Sequence, residues 1–293
     1  MRFLMMIPLY KQPKSLYLAF CFVAMISTAT KAFLDVSFQQ NYKIIWGAKH
    51  HIFFPNHGRE VLLLMDKSSG AGFRSKLDYA SGFFQMKIKI PKKDSRGIVT
   101  AFYLASKADN GFKGSHDELD FEFLGNNGEP YVLQTNIFAR DAGGREQRLN
   151  LWFDPTTDFH TYGILWNQHQ IVFYVDKIPV RVFKNKSKLG VNFPSHQMHL
   201  TGSIWNGEPW ASNGKRIDWT EAPFIAHFQG FKIHGCQSPK HHDCYSSHLW
   251  WNHKRFWQLD SQQQRAYEDV RRKYLLYDYC SDRGKLHKEC QVM

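Results

Sequence analysis

The chain has 293 residues, 43% of them apolar, with 38 Lys and Arg against 26 Asp and Glu and a formal net charge of +12. That length and apolar content exclude a disordered chain and allow one large domain, or a domain with an appendage. The basic balance admits two uses, contact with an anionic matrix or plain solubility.

Residues 1–32 read as a secretory signal. Arg2, Lys11 and Lys14 supply the positive start, and Leu16–Ile26 is an almost wholly apolar run. Small residues follow up to Ala32, as a cleavage site requires. A membrane anchor is the alternative, but the run is short for a bilayer. No later stretch is apolar enough to span one, so the mature protein is expected to be secreted and not attached to a membrane. The signal holds Arg2, Lys11, Lys14 and Lys31 and no acid, so its removal lowers the formal charge from +12 to +8. Export argues against nucleic acid as a partner. An acidic extracellular polysaccharide fits the charge better.

Residues 33–235 carry strand signals. Ser81–Ile90 alternates apolar and polar positions, and Gly97–Leu104 is rich in aromatic and branched residues. Leu149–Phe153, Thr161–Trp166 and Gln170–Val175 continue the series. Turn clusters at Pro91–Gly97, Asp109–Gly114 and Gly125–Pro130 separate them. Many short strands between turns predict an all-β sandwich or barrel.

Residues 236–293 form a different kind of segment. Asp260–Tyr274 predicts a short amphipathic helix, capped by Asp260 or Ser261, with Tyr267, Val270, Tyr274 and Leu275 on one face. Outside the signal the chain has four cysteines, Cys236, Cys244, Cys280 and Cys290. An even number in an exported chain suggests two disulfides, with three possible connectivities. Cys236–Cys244 with Cys280–Cys290 closes the shortest loops and is the pairing expected. Zinc, with His234, His241 and His242, is the alternative, but the spacing matches no zinc pattern. No metal and no cofactor is expected.

The stretch His116–Gly125, HDELDFEFLG, stands apart. On a strand Glu118, Asp120 and Glu122 share one face, and Leu119, Phe121 and Phe123 share the other. The apolar face is an ordinary core. Three like charges on one face repel, and strands disfavour Asp and Glu, so folding alone does not select this face. Calcium prefers oxygens presented by loops. Glycoside cleavage needs a nucleophilic carboxylate and a second carboxyl that gives and takes a proton, about 5–5.5 Å apart in a retaining enzyme. Glu118 and Glu122 have Cα atoms roughly 13 Å apart on a strand, a gap that two long side chains leaning together can largely close. Asp120 between them can set their proton affinities apart. His116 reads plainly as a strand-edge histidine, or alternatively as a partner for a carboxylate.

With that stretch in view, the chain resembles the plant xyloglucan endotransglucosylase/hydrolases of glycoside hydrolase family sixteen. Their motif D-E-[IL]-D-F-E-F-[LM]-G appears as DELDFEFLG at Asp117–Gly125. The likeness extends through Gln134-Thr135-Asn136, Gly144-Arg145-Glu146, Leu151–Pro155, Phe159–Tyr162, Ser203–Trp210, Asp218-Trp219 and the four-cysteine tail. It implies a curved, concanavalin-like jelly-roll sandwich with a small disulfide-pinned extension. It implies Glu118 as nucleophile, Glu122 as acid/base and Asp120 as the residue between them. Sugar contacts would come from Gln134, Thr135, Asn136, Gly144, Arg145 and Glu146. Further contacts would come from Trp205, Pro209, Trp210 and Gly214, with a basic tail residue, Arg283 or its rival Lys285.

The implied activity is retaining cleavage of a β-1,4-glucan backbone, with transfer to a xyloglucan polymer or oligosaccharide acceptor or to water, in the plant cell wall. Alternatives are an endo-β-glucanase on unbranched or mixed-linkage glucan, and a non-catalytic lectin-like wall protein. This chain departs from many relatives in lacking a sequon after the catalytic stretch. It carries Asn185-Lys186-Ser187 as a glycosylation candidate, has Glu208-Pro209 where two acids are common, and has a short Cys280–Cys290 segment. These departures resemble a subgroup that includes hydrolases.

Overall fold

Alternating patterns and frequent turns give strands that bury one face each. The computed structural model describes residues 36–106, 116–140, 142–208, 210–212, 214–237, 241–282, 284 and 287–291. The expected signal, residues 1–32, lies outside them, as do Pro209, Arg283 and Lys285. The strands are, in order, β1 (Tyr42–Trp46), β2 (Ile52–Phe53), β3 (Glu60–Met65), β4 (Ala71–Ser75), β5 (Ser81–Lys89), β6 (Ile98–Ser106), β7 (Glu118–Leu124) and β8 (Val132–Phe138). There follow β9 (Gln147–Asn150), β10 (His160–Trp166), β11 (Gln170–Val175), β12 (Ile178–Lys184), β13 (Met198–Asn206), β14 (Phe224–Gln229), β15 (His234–Cys236) and β16 (Leu275–Asp278).

They form two antiparallel sheets. One runs β1-β4-β13-β6-β7-β8-β9-β16, and the other β12-β11-β10-β5-β14-β3-β2, with β15 also on β5. The inner faces meet in an aromatic-rich core. Phe121 packs edge-on to Phe173 at 5.0 Å, and Phe123 to Tyr162 at 4.6 Å. Leu119, Phe121 and Phe123 are at most 1% exposed, so β7 is anchored from behind and its carboxylates project outward. The sandwich expected from the strand pattern is the architecture observed.

Two expectations change. The strand expected at Leu149–Phe153 is β9, which stops at Asn150. Beyond it Trp152 and Phe153 turn onto side-chain neighbours, Trp152 against Tyr274 at 5.5 Å. Leu275, expected on the helix face, instead opens β16, which pairs with β9. The helix Ser261–Tyr274 ends at the preceding residue, and Asp260 caps its start by accepting from the Gln262 and Gln263 N–H groups. The tail therefore adds a strand to the sheet that bears the carboxylates. The disulfides that form are Cys236–Cys244 and Cys280–Cys290, so these thiols hold no zinc. Among the described residues no helix is long and apolar enough to cross a membrane.

Candidate active site

Sheet register builds the site. Antiparallel pairing places Ala101 opposite Glu122, Tyr103 opposite Asp120, and Ala105 opposite Glu118. On the other side of β7, Glu122 faces Gln134, Asp120 faces Asn136, and Glu118 faces Phe138. β9 then sets Arg148 opposite Gln134. The small Ala101 and Ala105 leave space beside the two glutamates. The result is a cleft of about 300 Å³ lined by Trp46, Ala101, Tyr103, Glu118, Asp120, Glu122, Ser203 and Trp205.

Each carboxylate has its own surroundings. Glu118 Oε2 lies 2.7 Å from His116 Nε2, and the His116 ring rests against Phe138 at 5.4 Å. The histidine therefore adopts the second of its two readings, as a carboxylate partner. Asp120 is 4% exposed. Burial first, then the charge of Glu118 and a hydrogen bond with it, then Glu122, raise the Asp120 pKa well above the carboxylate range, with Arg181 pulling the other way. Asp120 therefore holds a proton more tightly than an ordinary carboxyl and shares a hydrogen bond with Glu118. The other Asp120 oxygen, Oδ1, is buried without a hydrogen-bond partner. Burial also raises Glu122, helped by the charges of Glu118 and Glu146 and opposed by a Gln134 hydrogen bond and by Arg148. Gln134 Nε2 donates to Glu122 Oε2 at 2.6 Å, and Arg148 Nε donates to Gln134 Oε1 at 2.7 Å.

The sequence-derived binding residues divide. Gln134 stands at the carboxylates, as does Asn136, whose Oδ1 accepts the N–H groups of Ile137 and Arg145. Thr135, between them, points inward, as strand alternation requires, and accepts from Arg181 through its carbonyl and hydroxyl. Gly144 has φ +75°, and its carbonyl meets the His287 ring at 3.1 Å. Arg145 is 4% exposed, with its guanidinium donating to Glu289 at 2.5 Å and to the Ala142 carbonyl. The structure thus brings the Arg145 side chain to the tail and not to the cleft. Glu146 is half-buried near enough to act on Glu122. Trp205 lines the cleft, with the exposed Trp210 ring 5.9 Å away. Gly214 has φ +79° and open space around it. Asn185 is half-buried; its Nδ2 donates to the Gln168 carbonyl and its Oδ1 accepts from the Ser187 N–H.

Sequence reasoning passed over three residues of the site. Trp46 lies in the cleft because Gly72 faces it with no side chain; a Cβ at Gly72 would stand 2.2 Å from Trp46 Nε1. Tyr103 hydrogen-bonds with Thr201 and Ser203, and burial, with the Glu118 and Asp120 charges, pushes its phenol up to about 12. Arg148 orients Gln134. The signal that finds Tyr103 and Arg148 is register, since each sits opposite a residue of the carboxylate network. That signal appears only once strand partners are known.

The profile of glycosyl hydrolases family 16 matches residues 38–221, and that of the xyloglucan endo-transglycosylase (XET) C-terminus matches residues 245–290. Xyloglucan endotransglucosylase/hydrolase protein 2 of Arabidopsis thaliana is 56% identical over 257 residues, spanning 85% of this chain and 86% of its own. Putative xyloglucan endotransglucosylase/hydrolase protein 1 of the same plant is 51% identical over 262 residues, spanning 87% of each. A prokaryotic beta-1,3-1,4-glucanase (lichenase) from a mouse hindgut metagenome superposes with a TM-score of 0.55 at 23% identity, over 70% of this chain and 96% of its own. That likeness concerns the fold.

Proposed function

The chain belongs to glycosyl hydrolases family 16, and on that premise we propose that it is a secreted plant cell-wall enzyme. In this reading it cuts the β-1,4-glucan backbone of xyloglucan and passes the fragment to another xyloglucan chain, to an oligosaccharide acceptor or to water. The observation that carries the reading is the set Glu118, Asp120 and Glu122 on one strand face inside a cleft, with different surroundings for each.

Glu122, with its raised proton affinity, protonates the glycosidic oxygen as Glu118 attacks the anomeric carbon. A glycosyl ester on Glu118 results. Asp120 and His116 hold the Glu118 carboxylate in place, each through a hydrogen bond to it. Once the leaving chain departs, Glu122 is a base. It takes the proton from an acceptor hydroxyl or from water, and the ester is broken. Transfer outcompetes hydrolysis when the acceptor side of the cleft holds a sugar long enough, which is a proximity effect. Trp205 and Trp210 supply aromatic surface for the apolar face of a sugar ring.

Residues 1–32 act as the export signal, residues 33–235 as the catalytic sandwich and residues 236–293 as the extension. The basic mature chain is retained by the anionic wall matrix.

The test is incubation with xyloglucan, with and without labelled xyloglucan oligosaccharide. Label entering long chains reports transfer, and new reducing ends without label report hydrolysis. Full activity in Glu118→Ala would sink the proposal. Binding of xyloglucan without turnover would instead support a lectin-like protein.

A further inference from the structure

We propose that His50, His51 and Asp66 form a binding site for a divalent transition-metal ion of the Zn²⁺ kind. One ligand atom from each residue lies within 4.8 Å of the others. The three come from two turns that the fold brings together: Lys49–His51, just after β1, and the turn after β3, where the Asp66 N–H donates to the Ser69 carbonyl.

His51 is the telling residue. It is 1% exposed, and neither ring nitrogen makes a well-formed hydrogen bond. Its Nε2 stands 3.0 Å from Asp66 Oδ2. A buried imidazole whose Nε2 faces a carboxylate at 3.0 Å, off hydrogen-bond geometry, is a ready-made ligand pair, and a metal ion held by Nε2 and Asp66 Oδ2 fits it. Asp66 is oriented for the same task. Its Oδ1 accepts from the Ser68 N–H, the Ser68 hydroxyl and the Ser69 N–H. That leaves Oδ2 free to face His51, much as outer hydrogen bonds orient metal-binding carboxylates. His50 is exposed, with its ring 4.1 Å from that of His51. Ligand atoms around tetrahedral zinc lie roughly 3.4 Å apart, from Zn–N distances near 2.1 Å. The exposed His50 ring can close that difference by a rotamer change.

Two imidazoles and one carboxylate suit zinc, not calcium, which takes six or more oxygens. The fourth position is left to water. The sequence reading weighs zinc at the tail cysteines and histidines alone and expects no metal; His50, His51 and Asp66 meet only through the fold. The site also has a structural consequence. Trp46 precedes the first turn and Gly72 follows the second, so a bound ion ties together the two segments that seat Trp46 in the cleft.

The test titrates ZnCl₂ into EDTA-treated, dialysed protein by calorimetry, beside CaCl₂ and MgCl₂. The expected result is saturable one-to-one Zn²⁺ binding, with no comparable heat from Ca²⁺ or Mg²⁺. His50→Ala should weaken Zn²⁺ binding at least tenfold. Because His50 is exposed, that variant should keep the thermal midpoint of the metal-free protein and lose the rise in midpoint that Zn²⁺ gives the parent. Asp66→Asn should likewise bind more weakly. Absence of saturable Zn²⁺ binding overturns the proposal. So does binding by His50→Ala as tight as that of the parent, which would place the ion on other histidines.

Discussion

The Gln134 side chain connects Arg148 to Glu122: its oxygen accepts from the guanidinium at 2.7 Å, and its nitrogen donates to the carboxyl at 2.6 Å. Because the guanidinium only donates, the amide oxygen must face Arg148 and the NH₂ must face Glu122. The amide thus fixes one oxygen of the proposed acid/base in place. It also opposes the rise that burial imposes on the Glu122 pKa.

Gln134→Leu should therefore act on both position and proton affinity. The expected fall in kcat/KM is about tenfold to a hundredfold, a part of what a positioned acid contributes. The basic limb of the pH profile should also move to higher pH, because the lost hydrogen bond was one of the effects holding Glu122 down. Xyloglucan transfer measured across pH provides the check. A limb that stayed in place or moved lower would show that Gln134 does not tune Glu122.

Glu118→Gln and Glu122→Gln should each lower turnover by about a thousandfold or more, given the roles proposed. Their folded states should be at least as stable as the parent. Each removes a like charge from a crowded strand face, an effect on the order of 0.2–1 kcal/mol. Thermal midpoints by circular dichroism would test this, and a large loss of stability would point to a structural role.

Asp120 makes stability depend on pH in the direction opposite to a salt-bridged carboxylate. Its folded pKa is raised, so in the window between the unfolded and folded values the native state binds the extra proton. Its contribution is therefore most favourable below the unfolded value and is lost as pH rises through the raised folded value. Asp120→Asn should remove that slope and raise stability at neutral pH relative to the parent. Denaturant midpoints at several pH values would decide, and an unchanged slope would rule Asp120 out as its source.

Much of the sandwich was legible because a strand's period is short and local. The apolar alternation around Phe121 states which face is buried, and so where Glu118, Asp120 and Glu122 must point. What the sequence hid depends on partners distant in the chain. Arg145 and Gln134 look equally polar in a motif, yet Arg145 ends against Glu289 in the tail while Gln134 ends against Glu122. β16 was hidden for the same reason, since Leu275 continues the apolar face of a helix until a free edge at β9 claims it. Trp46 is visible only as one side of a pair, the other being the missing side chain of Gly72.

That pair gives a prediction for substrate binding. Trp46→Ala removes an aromatic face from the cleft, worth about 0.5–1.5 kcal/mol in ring packing. KM should therefore rise roughly twofold to tenfold, with kcat less affected. Gly72→Ala should reproduce the KM increase with the tryptophan still present, because the new methyl would stand 2.2 Å from the indole nitrogen and push the ring aside. Initial rates at varied xyloglucan concentration would test both, and a Gly72→Ala enzyme with the parent KM would show that Trp46 seating does not matter.

A buried ion pair should help to couple the end of the tail to the sandwich. Arg145 donates to Glu289 at 2.5 Å with both side chains under a tenth exposed, and Glu289 adjoins the Cys280–Cys290 bridge. Burial pushes the Glu289 pKa up, but its hydrogen bonds, the Arg145 charge and His287 leave it below the usual range. Glu289→Ala strands a buried guanidinium and should cost about 3–5 kcal/mol. Glu289→Gln keeps an acceptor and should cost less. Replacing Cys280 and Cys290 by serine removes a short loop constraint worth roughly 2–3 kcal/mol. If the bridge serves chiefly to hold Glu289 on Arg145, the two losses will not add, and the combined variant will be more stable than their sum implies. Urea unfolding of the three variants measures this. Strict additivity would mean that the bridge and the ion pair stabilise the tail independently.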